Sequence, residues 1–220
     1  QSAGLPTSVQ QVEHRSVAAA ILEEARKGID LLFVGASRRG DSLGGPILEE
    51  LVRDTPCHLA VVKAGPRSQP YRSVLVPFDG GVFARLAVEF AVRYCEATGA
   101  ELTIALLIER MPQAARLATE EASGVVDELR AAPEAELERV SRIFRAVELR
   151  PTILRLTYDP QSNAINDEAT SGRYDLAVIG AENRAIRHRL FFGYSSERLL
   201  NNETIAVAII VPNLARLHPG

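Results

Sequence analysis

A nine-residue phrase occurs twice in this chain, 145 positions apart. Gly28-Ile29-Asp30-Leu31-Leu32-Phe33-Val34-Gly35-Ala36 returns as Arg173-Tyr174-Asp175-Leu176-Ala177-Val178-Ile179-Gly180-Ala181. In each copy an Asp precedes a short apolar run that ends in Gly-Ala. Downstream, Gly45, Glu49 and Leu51 match Gly193, Glu197 and Leu199 at a spacing of 148, so the first copy is three loop residues shorter. Each copy closes on a second apolar run, Leu59–Val62 and Ala206–Val211. Such self-similarity requires both stretches to fold as the same supersecondary unit. About 100 residues, Ser73 to Tyr174, precede the second copy, and about 30 precede the first. The first unit is therefore expected to lack its front half: residues 1–66 form the second half of a unit and residues 71–213 a complete one. Gln1 stands where an initiator Met would, and no signal peptide follows it. The expectation is a piece of a longer chain; the alternative is a shortened unit that folds against the complete one.

Within the complete unit, short apolar runs alternate with helical patterns. Ser73–Pro77, Glu101–Ile108, Pro151–Leu156, Leu176–Ile179 and Ile205–Val211 read as buried strands. Between the first two, apolar residues at 83, 86, 87, 90, 91 and 94 form a helical stripe that Gly99 ends. Ala114 to Arg145 favours helix, with an interruption expected near Pro133, and Asp159-Pro160 is expected to open a helix with Pro in its first turn. Ser195 to Leu200 is expected on a last helix. The alternation implies an α/β fold, an open parallel five-stranded sheet sandwiched by helices, with right-handed crossovers. Ligands in such sheets bind at the carboxyl ends of the strands, where the strand order switches. That rule places Asp79, Leu107 and the loop after Gly180 on one rim.

After the fourth strand come Gly180-Ala181-Glu182-Asn183, nine further residues, and Gly193-Tyr194-Ser195 at a helix start. Gly lets a backbone approach a phosphate, and helix N-terminal amides point at one; equally, Gly at a strand end is ordinary turn chemistry. Asn183 tolerates positive φ. Ser195 supplies a hydroxyl or caps its helix. The segment Arg184 to Arg189 is basic, a solvated loop or a phosphate-facing patch, and Leu190-Phe191-Phe192 beside it is a core or partner-seating cluster.

Lys plus Arg number 25 and Asp plus Glu 28, a net charge of -3, which argues against a non-specific nucleic-acid binder. With 46% hydrophobic and 24% charged residues the chain can build a core. No run approaches the roughly 20 apolar residues that cross a bilayer. Two cysteines, Cys57 and Cys95, lie far apart, which suits a reducing cytoplasm, and both are expected to be buried and inert. The four His show no metal spacing, and no Ser-His-Asp set, Walker loop or carboxylate pair is visible, so catalysis is not expected.

Val76-Pro77-Phe78-Asp79-Gly80-Gly81, taken with Gly180-x2-Asn183-x9-Gly193-Tyr194, resembles the universal stress protein family, whose members carry V-P-x-D-G-S and G-x2-G-x9-G-[ST]. The resemblance covers 71–213 as a full domain and roughly 1–65 as a second half-domain. It implies an adenine-nucleotide site: Pro77 and Asp79 on the adenine-ribose side, the backbone at Leu107 on the base, and Gly180, Asn183, Gly193 and Ser195 around the phosphates. ATP, AMP or a cyclic nucleotide is the implied ligand, with Mg²⁺ only alongside it. Asn183 replaces the family's middle Gly, and Tyr194 its small hydroxyl residue. In the first copy Pro46 follows Gly45 and removes a backbone donor, so no site is expected there. The phrases Gly44 to Val52 and Ala181 to Gly193 are similar to the cytosolic tails of bacterial cation/proton antiporters, which implies a regulatory domain behind a membrane block. A free-standing stress protein and a slow ATPase are the alternatives. The resemblance also implies that last strands pair across a dimer or between tandem units, with Leu59–Val62 and Ala206–Val211 the candidates, and a homodimer through sheet edges is expected. The half-unit's open edge is expected to be covered by another chain or by strand exchange.

Overall fold

The computed structural model describes residues 8–36, 38–39, 42–43, 45–67, 70–109, 123–158, 163–181, 184–186, 189–191 and 198–213. The first copy contains α1 (Val17–Ala25), β1 (Leu31–Gly35), a small hairpin of β2 (Arg38–Arg39) and β3 (Ser42–Leu43), α2 (Gly45–Asp54) and β4 (His58–Lys63). The rest follows as β5 (Ser73–Phe78), α3 (Val82–Thr98), β6 (Glu101–Glu109), α4 (Ser123–Ala146), β7 (Thr152–Tyr158), α5 (Ala164–Ala169) and β8 (Leu176–Gly180). A second hairpin, β9 (Arg184–Ile186) with β10 (Arg189–Phe191), a helical stretch at 198–200 and β11 (Ala206–Val211) complete it. One sheet holds seven strands in the order β1-β4-β11-β8-β5-β6-β7. All neighbours are parallel except β4 and β11.

The α/β class and open sheet expected from the alternating pattern are present, and five of the strands come from 71–213. The strands are apolar on both faces because helices cover both. Val74, Val76 and Phe78 point to one side, under Ala84, Ala87, Ala91 and Cys95 of α3 and Val140 and Phe144 of α4. Leu75, Ile179, Ile209 and Val61 point to the other, against Leu48 and Val52 of α2 and Leu199 and Leu200. The second core therefore crosses from one copy into the other.

The repeat extends to single hydrogen bonds. The His58 N–H donates to the Asp30 carbonyl at 3.1 Å, and the Ala206 N–H to the Asp175 carbonyl at 3.1 Å. At the other strand end, Ala36 N–H donates to Val62 and Ala181 N–H to Ile210, at 2.9 and 3.0 Å. Both copies also place a hairpin between the Gly that ends the first strand and the next helix. The seam between them is antiparallel and self-complementary. Its central pair, Val61 and Ile209, joins repeat-equivalent residues, as an isologous contact does. The two strands expected at an assembly edge thus pair with each other inside the chain, and β1 and β7 are the sheet's edges.

Three local expectations are corrected. The buried face of α3 is 84, 87, 88, 91, 92 and 95: of the expected stripe 87 and 91 belong to it, whereas 83, 86, 90 and 94 are half-buried. Small side chains let the helix lie close on the sheet, while Leu86, Phe90 and Tyr94 pack around the contact. Helix α4 runs through Pro133 rather than breaking there; proline removes one hydrogen bond, and flanking turns carry the helix across the gap. Helix α5 begins at Ala164 behind Asn163, and Asp159-Pro160 lie outside the described residues. Gly99 does end α3, at φ +71°, with its N–H on the Cys95 carbonyl at 2.8 Å.

No helix among the described residues is long and apolar enough to cross a membrane.

Candidate functional site

The order β11-β8-β5-β6-β7 creates one switch point, between β5 and β8. From β5 the chain moves outward through α3 to β6 and then β7, and it returns to β5's opposite side as β8. The ladder between β5 and β8 runs only over Val74↔Leu176 and Leu75↔Ala177, whereas β5 and β6 stay paired from Ser73↔Glu101 to Phe78↔Leu106. Pro77 lies in the part of β5 beyond that short ladder, buried, and has no N–H to give. The hydrogen-bonded ladder between β5 and β8 therefore stops short of their carboxyl ends, the end of such a sheet at which ligands bind.

Three of the expected residues stand at this rim. The pairing Phe78↔Leu106 sets Asp79 level with Leu107. Extending Leu75↔Ala177 along both strands sets Gly180 level with Phe78. Asp79 is exposed, and its Oδ1 accepts the Gly81 N–H at 2.8 Å. Gly81 is the N-cap of α3 and has no side chain to cap with, so Asp79 shapes the turn while its carboxylate stays exposed at the rim. Leu107 is buried and pairs with Leu156 of β7, one residue past the last pair of the β5–β6 ladder.

Gly180 has a role that the motif did not suggest. A Cβ there would fall inside the Phe83 carbonyl group and lie 2.9 Å from Ala84 N. The first turn of α3 thus closes directly onto the end of β8, and only a residue without a side chain permits it. What Gly180 can offer a ligand is confined to its peptide groups. Above the turn, Gly80 has φ +86°, and a Cβ on it would sit 3.2 Å from Pro133 Cα. The middle of α4 therefore roofs the Asp79–Gly81 turn. There Glu136 pairs with Arg139 and lies 3.9 Å from Arg85. Phe83, Pro133 and Glu136 border the site without having been anticipated. No local pattern marks them, because their proximity arises from the packing of α3 and α4.

Asn183, Gly193 and Ser195 lie outside the described residues. Between them, the basic segment forms the antiparallel hairpin β9–β10, with Arg184 opposite Phe191 and Ile186 opposite Arg189. Strand β10 contacts α2, so the loop expected around phosphates touches the first copy. No group of three or more His, Cys, Asp and Glu side chains that would hold a metal occurs among the described residues.

Both thiols are buried, and burial pushes Cys95 up to about 11. Its thiolate fraction at neutral pH is negligible, and the thiolate is the nucleophile. Iodoacetamide at pH 7 is expected to leave Cys57 and Cys95 unmodified in the native protein and to label both in urea. Mass spectrometry reads the outcome, and native labelling at Cys95 would contradict the packing of α3.

The universal stress protein family model matches residues 70–211. Among solved structures, a universal stress protein from Archaeoglobus fulgidus DSM 4304 aligns over 87% of this chain at 15% identity and a TM-score of 0.57. The chain spans 65% of that protein's length. A protein described as functionally unknown, from Pseudomonas aeruginosa PAO1, aligns over 95% of this chain and 73% of its own, with 16% identity and a TM-score of 0.57. At these identities the likeness is one of fold. None of the curated proteins matches the chain.

Proposed function

Because the chain belongs to the universal stress protein family, we propose that it is a regulatory domain that senses an adenine nucleotide at the rim between β5 and β8. The observation that carries this reading is the meeting of Asp79, Leu107 and Gly180 at the switch point, beside the N-terminal turn of α3. An exposed carboxylate suits ribose hydroxyls, the backbone of β6 where its ladder with β5 ends suits the edge of a base, and glycine-rich backbone with helix N–H groups suits phosphate. Asp79, Leu107 and Gly180 would take the nucleoside side. Asn183, Gly193 and Ser195 would take the phosphates, with Mg²⁺ carried in by the nucleotide.

The same reading makes this the cytosolic region of a cation/proton antiporter. Its support is the similarity of the phrases Gly44 to Val52 and Ala181 to Gly193 to such tails. The contact between β10 and α2 supplies a route. A ligand that rearranges the glycine loop shifts the hairpin, and the hairpin touches the first copy. Regulation requires that the ligand prefer one arrangement over the other.

Calorimetric titration of ATP, AMP and cyclic AMP, with Mg²⁺, tests the site. Micromolar binding is expected, weakened at least about tenfold in Asp79→Ala, a loss of about 1.4 kcal/mol. No ATP hydrolysis is expected in the same samples. Absence of heat with every nucleotide, or undiminished binding by Asp79→Ala, would remove the sensor reading. The transporter link is checked separately in the coding sequence upstream, where a block of long apolar helices is expected.

A further inference from the structure

The two edges of the sheet differ in chemistry. Edge strand β7 carries exposed Thr152, Arg155 and Thr157, and Arg155 pairs with Glu134 at 3.0 Å. Polar and charged side chains are how an edge is kept from recruiting another strand. Edge strand β1 reads Leu31-Leu32-Phe33-Val34-Gly35, with neither charge nor proline. Beside it a groove of about 570 Å³ runs between β1 and α1. Of the seven large apolar residues that are exposed among the described residues, Val12, Val17, Ile29 and Phe33 line this groove.

The internal repeat says what belongs there. Strand β1 matches β8 residue for residue and pairs with β4 in the register that β8 uses with β11. The other edge of β8 holds β5, in parallel, through Val74↔Leu176 and Leu75↔Ala177. Phe33 occupies the position of Val178. Val178 is fully buried in the α3-covered core, whereas Phe33 is 58% exposed. At the foot of the strand, Asp175 accepts the N–H groups of Arg72 and Ser73, which start β5. Asp30 stands at the matching place before β1, exposed.

We propose that β1 is an acceptor edge for a parallel, apolar strand of the β5 type, supplied by a polypeptide segment outside these 220 residues. The incoming strand would set its own counterparts of Val74 and Leu75 against Leu31 and Leu32, begin at Asp30, and cover Phe33. This is strand addition to an open sheet, with main-chain hydrogen bonds giving affinity and alternate side chains giving fit. A second copy of the chain fits less well. Two β1 strands related by a two-fold axis meet antiparallel, whereas the repeat-equivalent edge is parallel.

The probe is a fluorescein-labelled peptide of residues 71–80, titrated into the intact 220-residue protein by anisotropy. Amide hydrogen exchange then locates it. Saturable binding is expected, with exchange slowed at residues 31–35. The affinity should fall at least about tenfold in Phe33→Lys, and a peptide N-methylated at alternate residues should fail to bind, which tests the edge without altering the protein. Phe33 is 58% exposed but its ring lies 5.8 Å from that of Phe90, so the variant should melt slightly below the wild type, and the N-methylated peptide carries the test independently of that loss. Three results would overturn the proposal: no saturable binding; equal binding by a labelled peptide of the same composition in scrambled order; or protection elsewhere than at β1. Sedimentation showing a wild-type dimer that Phe33→Lys dissociates would also overturn it, and would assign the edge to a second copy.

Discussion

Alanine at position 180 is expected to destabilise the protein by about 2–3 kcal/mol, whereas alanine at the repeat-equivalent position 35 is expected to be close to neutral. The two glycines end matching strands in the same sequence context, Val-Gly-Ala and Ile-Gly-Ala. Local propensity therefore predicts similar effects. Tertiary packing predicts opposite ones. A Cβ on Gly180 collides with the backbone of Phe83 and Ala84, whereas a Cβ on Gly35 meets nothing within 4 Å. Backbone cannot swing aside as a long side chain can, so either the first turn of α3 lifts or the end of β8 moves. Both sit on the main core, where Val76, Phe78, Ala84 and Val178 are packed together. Lifting α3 also displaces the Asp79–Gly81 turn, so nucleotide binding should weaken along with stability. Urea denaturation of the two single variants, with m-values compared, gives the readout. Equal losses at 35 and 180 would mean that strand conformation, not the approach of α3, requires these glycines.

The second large effect is expected at Asp175, which is 8% exposed. Its carboxylate accepts the Arg72 N–H at 2.8 Å and the Ser73 N–H at 3.3 Å, and pairs with Arg67. The same residue donates its N–H to the Ser73 carbonyl at 2.9 Å. One side chain thus fastens the linker from the first copy and the start of β5 to the start of β8. Replacement by alanine leaves partly buried N–H groups without acceptors, and a loss of about 2–4 kcal/mol is expected. Little of it belongs to the ion pair as such, because Arg67 is half exposed and solvent screens the attraction. Asp30→Ala, at the exposed repeat position, should cost under about 1 kcal/mol.

The effect at Asp175 carries a pH signature. Burial alone would raise this carboxyl, but the Arg72 N–H, the Arg67 guanidinium and the Ser73 N–H outweigh it and hold the group below its ordinary value of 3.8. A carboxyl lowered in the folded state contributes stability above its unfolded value, and that contribution disappears as pH falls through the folded one. The difference between wild type and Asp175→Asn should accordingly be full at neutral pH and shrink below pH 3.8. A difference that stays constant into that range would show that the carboxylate's charge plays no part.

The succession of strands and helices was legible because each element buries apolar residues at its own period. Ser73–Pro77 reads as a strand followed by a Gly-rich turn, and the observed strand, Ser73–Phe78, ends one residue beyond that reading. The rim was legible for a related reason: parallel strands bring their carboxyl ends together, so Asp79, Leu107 and Gly180 had to share an end of the sheet once the alternation was recognised. The face of α3 was legible only in part: Ala87 and Ala91 lie on the expected stripe, but Ala84, Val88, Val92 and Cys95 complete the buried face, while Leu86, Phe90 and Tyr94 are half-buried beside it. Close approach to the sheet favours the small residues and sends the large ones to the flanks.

The repeat, the α/β alternation, the family motif and the end of the sheet where a ligand would sit are readable along the chain, because they follow from periodicity and from the identity of residues close together in it. That β4 and β11 join the two copies antiparallel, that α4 passes through Pro133, that Gly180 serves the seat of α3 and that β1 is left as an apolar edge emerges from packing alone. Backbone hydrogen bonds are the same for every residue, so a strand's own sequence does not name its neighbour. The neighbour is chosen by which surfaces remain to be buried once all the helices have been placed.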